Sequence, residues 1–351
     1  MAYTTIKKST DYFNTKLHTG DGGGSGSSTG IGFQPDMVWS KSRTEALNHT
    51  MFDSVRGAGS NKELTPNGAG TEGGANSAGF GYISAFNSDG YSWTAGSTNT
   101  ENFNKSSQNY ANWCWKANGA GSANTDGSIS STVSANTTSG FSIVTYTGGG
   151  GNATVGHGLG VAPGMMIIKN RSASQSWVVY HQSIGNTKNL YLNNTDATNT
   201  TSGWFNNTSP TSTVFTIGND GAVSGNGNNL VAYCFAEKQG FSKFGSYTGN
   251  GSTDGTFVYT GFKPAWVMIK ANLAGEEWGI WDSTRNTFNI MSQRLQSNSS
   301  AAENTFNGLD FTSNGFKLRS ANSAVNRSGD TLIYMAFAEQ PLVGDNPCTA
   351  R

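Results

Sequence analysis

Internal repetition constrains this chain more than any other feature. Three segments open alike, as His18-Thr19-Gly20, Tyr146-Thr147-Gly148 and Tyr247-Thr248-Gly249. Fifteen residues after each glycine stands a proline (Pro35, Pro163, Pro264), and six residues after each proline a lysine (Lys41, Lys169, Lys270). Each segment closes on an aromatic run that ends at Trp115, Phe235 or Phe337, which lie 80, 72 and 73 residues beyond the prolines. The repeating unit is therefore about 100 residues long, too long for a propeller blade or a β-helix rung. Any fold for this chain must build the same elements three times.

The stretch after each proline reads as a strand, since proline is tolerated where no ladder hydrogen bond is donated. In repeats two and three both alternating sets are apolar, Met165/Ile167 against Met166/Ile168 and Trp266/Met268 against Val267/Ile269. That pattern predicts central strands buried on both faces. Repeat one reads as more amphipathic there, with Asp36 and Ser40. Asp89-Gly90 and Asn314-Gly315 are hairpin signals. The prediction is an all-β chain of three tandem β-sandwich modules, jelly-roll or lectin-like, with little helix beyond one or two turns over 289–296. The expected boundaries are a lead-in at 1–12, modules at 13–116, 141–240 and 241–340, and a tail at 341–351. Between the first two modules, 117–140 has the Gly/Ser/Asn/Thr composition of a linker. The apolar residues are expected to divide among three modest cores.

Composition narrows the function. Charged residues are 13% of the chain, about half the usual share. With 22 Lys+Arg against 22 Asp+Glu and no basic run, the chain lacks the electrostatic footprint of a nucleic-acid binder. No apolar stretch approaches the ~20 residues of a membrane span, and the first residues lack a signal-peptide core. The sequence therefore predicts no nucleic acid and no membrane as partners, with synthesis in a cytoplasm. Three Cys, an odd number, speak against a disulfide framework.

The three copies act as an internal control on candidate chemistry. Cys114 and Cys234 occupy matched places and read as small buried hydrophobes; Cys348 has no neighbour that would activate it. His18 aligns with Tyr146 and Tyr247 and fills an aromatic place, while His181 aligns with Asp53 and Asp282, as a capping or turn-bonding position would. His157 has no partnering nucleophile motif. Glu276 and Glu277 are adjacent, so on a strand they point apart, and no pair has the spacing a glycosidase needs. The glycine-rich runs lack Gly-Lys-Ser/Thr and a following helix, so they are not phosphate loops. Asp/Asn/Gly loops offer oxygen ligands for Ca²⁺ without the spacing of a calcium motif; no cofactor, metal site or catalytic residue is predicted. Aromatic rings beside amides can stack on and bond sugars, which singles out Tyr91, Trp93, Trp204, Phe205, Asn206 and Asn207 as glycan or receptor contacts, against the alternative that these rings fill the cores.

Several longer motifs point to one family. They are the opening Met-Ala-Tyr-Thr-Thr-Ile-Lys-Lys, Gly32-Phe-Gln-Pro-Asp36, Phe52-Asp-Ser-Val-Arg-Gly57, Trp113-Cys-Trp-Lys116, Val155-Gly-His-Gly-Leu-Gly-Val-Ala-Pro163, Tyr259-Thr-Gly-Phe-Lys-Pro264 and Ala336-Phe-Ala-Glu339. Over nearly its whole length the chain resembles a repeat family of virion structural, tail-fibre-like proteins of tailed phages that infect marine bacteria and cyanobacteria. The resemblance implies a non-enzymatic protein displayed on the virion surface, assembled in the host cytoplasm. A tail fibre or tail appendage for host attachment is the leading placement. A capsid decoration or head-fibre protein and a lectin-like glycan-binding module are the alternatives. Implied partners are other virion proteins, further copies of the chain (three in a fibre) and a host surface glycan or receptor.

Overall fold

The computed structural model describes residues 4–99 and 101–341. Repeat one supplies β1 (Phe13–Thr19), β2 (Ser25–Thr29), β3 (Met37–Ser42), β4 (Thr50–Asp53), β5 (Tyr82–Asn87), β6 (Gly90–Thr94) and β7 (Asn109–Trp115). Then come β8 (Ser122–Asn124), β9 (Ser131–Asn136), β10 (Phe141–Thr147), β11 (Ala153–Gly156) and β12 (Met165–Asn170). Repeat two is completed by β13 (Val178–His181), β14 (Lys188–Tyr191), β15 (Asn199–Thr200), β16 (Val214–Ile217) and β17 (Asn229–Phe235). Repeat three holds β18 (Ser242–Thr248), β19 (Phe257–Tyr259), β20 (Phe262–Ala271) and β21 (Gly279–Asp282). It ends with β22 (Met291–Gln296), β23 (Asn304–Thr312), β24 (Gly315–Leu318) and β25 (Thr331–Pro341). Helix among the described residues is confined to single turns, so the chain is all-β as expected.

Each sheet draws its strands from one stretch of sequence. Repeat one forms β1-β7-β3-β4 and a small sheet β2-β6-β5; the second stretch forms β15-β14-β13-β12-β17-β10-β9-β8 and β11-β16. Repeat three forms one sheet, β18-β25-β20-β21-β22-β23-β24-β19. A common antiparallel unit recurs within them: β1-β7-β3-β4, β10-β17-β12-β13 and β18-β25-β20-β21. Its register is held too. Trp115 faces Phe13 and Met37, Phe235 faces Phe141 and Met165, and Phe337 faces Ser242 and Trp266.

The post-proline strands β3 and β12 and the residues of β20 after Ala265 are buried on both faces, and so are β7 and β17 after their first residue. Alternation along them sends the two faces to different places. From β17, Val231, Tyr233 and Phe235 enter one cluster, whereas Leu230, Ala232 and Cys234 enter another. From β25, Ile333, Met335 and Phe337 join the same first cluster, and Leu332, Tyr334 and Ala336 a third. Trp113 and Trp115 of β7 complete the first cluster from repeat one. The expectation of three modest cores is thereby corrected: each repeat has a private core, and all three share a fourth, the largest. The three closing aromatics meet in it as a triangle, with ring centroids 6.5 Å apart for Trp115 and Phe235, 5.7 Å for Trp115 and Phe337, and 6.1 Å for Phe235 and Phe337.

Three further expectations change. Asp36 and Ser40 are buried, because Asp36 accepts the Ala117 and Gly119 amides at 2.7 and 3.1 Å. The expected linker at 117–140 carries β8 and β9, and β9 pairs along β10 from Ser131 to Asn136. The expected helical turns at 289–296 are instead strand β22, paired to β21 and β23. Ile6 of the lead-in is buried in the shared core. Of the tail, Pro341 ends β25, and the remainder, with Cys348, lies outside the described residues.

Candidate functional site

The polar groups with most chemistry in them gather at the three seams between repeats. Equal register makes Asp53, His181 and Asp282 one position, opposite Met37, Met165 and Trp266. It likewise equates Trp113, Tyr233 and Met335. Two members of the first set bond a member of the second from another repeat, and His181 bonds the residue beside the third. The Tyr233 hydroxyl donates to Asp53 Oδ2 at 2.7 Å, and the Trp113 indole N–H donates to Asp282 Oδ2 at 3.0 Å. Met335 has no proton to give. At that third seam a histidine replaces the aspartate, and His181 Nε2–H donates to the Tyr334 carbonyl at 3.2 Å.

An arginine completes each of the two acidic seams. Arg56 Nε pairs with Asp53 and Arg285 Nε with Asp282, both at 2.5 Å and fully buried. Each guanidinium then bonds a glutamate that also binds an arginine of the adjoining repeat. Arg56 and Arg171 share Glu72, while Arg285 and Arg43 share Glu303. Burial is the largest single influence and would lower the basicity of Arg56 and Arg285, but the adjacent aspartate and the shared glutamate, joined at Arg56 by Tyr233, together outweigh it and both are held more firmly protonated. At the position of these arginines repeat two has Ile184, so the third seam lacks the network.

Four residues before the Asp/His position, His49, Trp177 and Trp278 fasten the same seams with ring N–H groups. Trp177 Nε1 donates to the Thr65 and Gly68 carbonyls at 3.0 Å, and Trp278 Nε1 to Tyr191 O at 2.8 Å. His49 Nε2 donates to Gln296 O at 3.0 Å, while its Nδ1 accepts from Trp39 Nε1 at 2.8 Å.

The repeated lysines are buried as well. Lys41 donates to Ser42 O, Lys169 to Gln175 O and to Ala69 O of repeat one, and Lys270 to Ala271 O. Burial pushes their ammonium groups down, to about 7 for Lys41 and about 8 for the other two.

All four histidines share one bonding pattern. Nε2 reaches a backbone carbonyl (of Phe103, Gln296, Thr211 or Tyr334), and Nδ1 accepts from a nearby N–H. Burial lowers the basicity of each, and the N–H donors on Nδ1 with the carbonyls at Nε2 select the Nε2–H tautomer. His18 does fill an aromatic place: it stacks on Tyr110 at 5.0 Å and bonds a carbonyl, as the matched Tyr146 and Tyr247 do through their hydroxyls. Cys114 and Cys234 are buried free thiols, and burial pushes the Cys234 thiol up to about 12. Among the described residues no group of three His, Cys, Asp or Glu is placed to hold a metal.

The six sequence-predicted contacts do not form a surface. Tyr91 and Phe205 are buried, and Trp93 and Trp204 keep only 8% and 7% of their area exposed. Tyr91 and Trp93 lie in the private core of repeat one, Trp204 and Phe205 in that of repeat two. A ring whose faces are already packed cannot stack on a sugar. Asn206 and Asn207 remain exposed, in a turn with φ of 47° and 50° that asparagine tolerates. The seam arginines and their glutamates went unnoticed in the sequence, although Asp53-Ser54-Val55-Arg56 and Asp282-Ser283-Thr284-Arg285 are matched copies.

One polar cleft of about 330 Å³ opens beside these cores, between β1 and β2 in repeat one. Its lining includes Lys16, His18, Ser28, Asn104 and the edge of Trp93.

Fold and seams together define an all-β protein whose three repeats close into a ring around a shared aromatic core. The chain belongs to the family described as a domain of unknown function, DUF7483, whose model matches residues 8–341. No curated protein and no solved structure matches it.

Proposed function

We propose that this chain is a non-enzymatic structural protein of a phage virion surface, a tail fibre or other tail appendage that takes part in host attachment. The observation that carries the reading is where the chemistry-bearing side chains lie: Asp53, Asp282, Arg56, Arg285, His49 and His181 are buried and bonded across or along the seams. Groups that a catalyst would present to substrate are used here to fasten repeats together, as a rigid display block requires. The family-like motifs support it from another side, since Phe52-Asp-Ser-Val-Arg-Gly57 and Trp113-Cys-Trp-Lys116 contain seam residues. Immunogold labelling of particles with antibody to this chain tests the placement. Gold on tails is expected. Gold on heads would favour a capsid decoration protein, and particles without gold would remove the virion reading.

A further inference from the structure

The same gap between two strands occurs in repeats one and two, and among the described residues only that of repeat two is filled. In repeat two the gap lies between β10 and β11, and the segment 128–136 occupies it. On one side β9 pairs with β10, placing Val133 opposite Val144 and Ser131 opposite Tyr146. On the other side Ile129 bridges Val155 in parallel, and Ser131 Oγ donates to the Gly156 carbonyl at 3.1 Å. In repeat one, β1 corresponds to β10 and β2 to β11; both second strands begin five residues after the opening glycine. Among the described residues β1 has β7 as its one neighbour and β2 has β6, so each is the edge of its sheet. The space between these two edges is the cleft of about 330 Å³.

We propose that this cleft receives an extended peptide segment of another polypeptide, which adds to the β1 edge as β9 adds to β10. An edge strand offers a row of backbone donors and acceptors, and strand addition is the interaction that uses them. Residues 4–12 of the lead-in do not supply the strand, because Ile6 enters the shared core and Tyr12 packs on Phe241, and neither lines the cleft. Side chains define the ligand further. Where repeat two sets Val144 against Val133, repeat one sets Lys16, whose ammonium makes no salt bridge within 4 Å among the described residues; Asp89, an acid that feels its charge, is bonded to the Gly30 and Gly32 amides. His18 is neutral with both ring nitrogens bonded, and Asp21 is engaged by Asn104 and the Gly23 amide. The matching segment therefore has small and hydroxyl side chains, like 128–136, with a carboxylate opposite Lys16. This inference does not depend on the virion reading, and its failure leaves that reading intact.

The probe is a fluorescent peptide with the sequence of residues 126–137 carrying Val133→Asp, titrated into the full chain and followed by anisotropy. Saturable binding is expected, with new hydrogen-exchange protection at the amides of β1 and β2. Lys16→Glu is expected to weaken it at least tenfold, and a peptide carrying Val133→Lys is expected to recover binding to that variant. Lys16→Gln serves if the charge reversal lowers the melting temperature. No saturation, equal binding to the Lys16 variants, or protection confined to other strands would overturn the proposal. So would protection of the same amides by a neutral polysaccharide that the peptide cannot displace.

Discussion

Tyr233 and His181 show what a seam position costs and contributes. The Tyr233 hydroxyl bonds a buried carboxylate already paired to Arg56. Hydrogen bonds to charged groups contribute about 1.5–3 kcal/mol, so Tyr233→Phe is expected to lose that amount in urea unfolding; a loss below about 0.5 kcal/mol would mean Arg56 satisfies Asp53 alone. His181 works in the opposite sense, because it must stay neutral. Burial pushes its imidazole down to about 4, below the ordinary 6.5. Its folded pKa is depressed, so the unfolded chain binds the proton more readily, and stability is lost as pH falls from about 6.5 towards 4. His181→Gln, which titrates nowhere in that window, is expected to hold its stability better than the parent between those limits. Unfolding curves measured in parallel would show the difference; a constant offset would separate His181 from the acid response. The Asp/His equivalence at this position was legible from sequence, because the three copies align. Its partner was not, since no single repeat reveals that its neighbour's Tyr or Trp reaches across.

At the level of strands, the sequence was most readable where both faces are apolar. The post-proline strands and the closing aromatic strands are such cases, and they form the central strands of each common unit. It was least readable in Ser131-Thr-Val-Ser-Ala-Asn136, whose small polar residues resemble a linker and become a strand by covering the edge of β10. Val133 turns inward there and is 6% exposed. Val133→Asp is accordingly expected to destabilise the protein by about 3 kcal/mol or more, as burial of an unpaired charge does; an unchanged melting temperature would restore the linker description. The segment 289–296 was misread for a different reason. Met291 and Leu295 are four apart, a spacing that suits one face of a helix, but pairing with β21 and β23 decides for strand, and a register shift between Met291 and Gln293 accompanies their entry into different cores, that of repeat three and the shared one. The burial of Tyr91, Trp93, Trp204 and Phe205 reflects a related ambiguity, because an aromatic ring beside asparagines in sequence can still turn inward.

For the molecule as a whole, the shared core removes the independence that tandem repeats usually have. A repeat isolated from its neighbours would expose one full face of its central strands. Thermal unfolding followed by calorimetry is expected to give one cooperative transition, and a chain cut after Phe235 is expected to bind a hydrophobic dye and melt without cooperativity. Separate transitions would mean that the private cores outweigh the shared one. The ring also carries its own optical reporter. Of the nine tryptophans, Trp39, Trp113, Trp115, Trp177, Trp266 and Trp278 lie in the shared core, and Trp93, Trp204 and Trp281 lie one to each private core. Intrinsic emission and near-ultraviolet dichroism are therefore weighted two to one towards the centre, so that loosening of a seam would register as a spectral change while every sheet kept its far-ultraviolet signal.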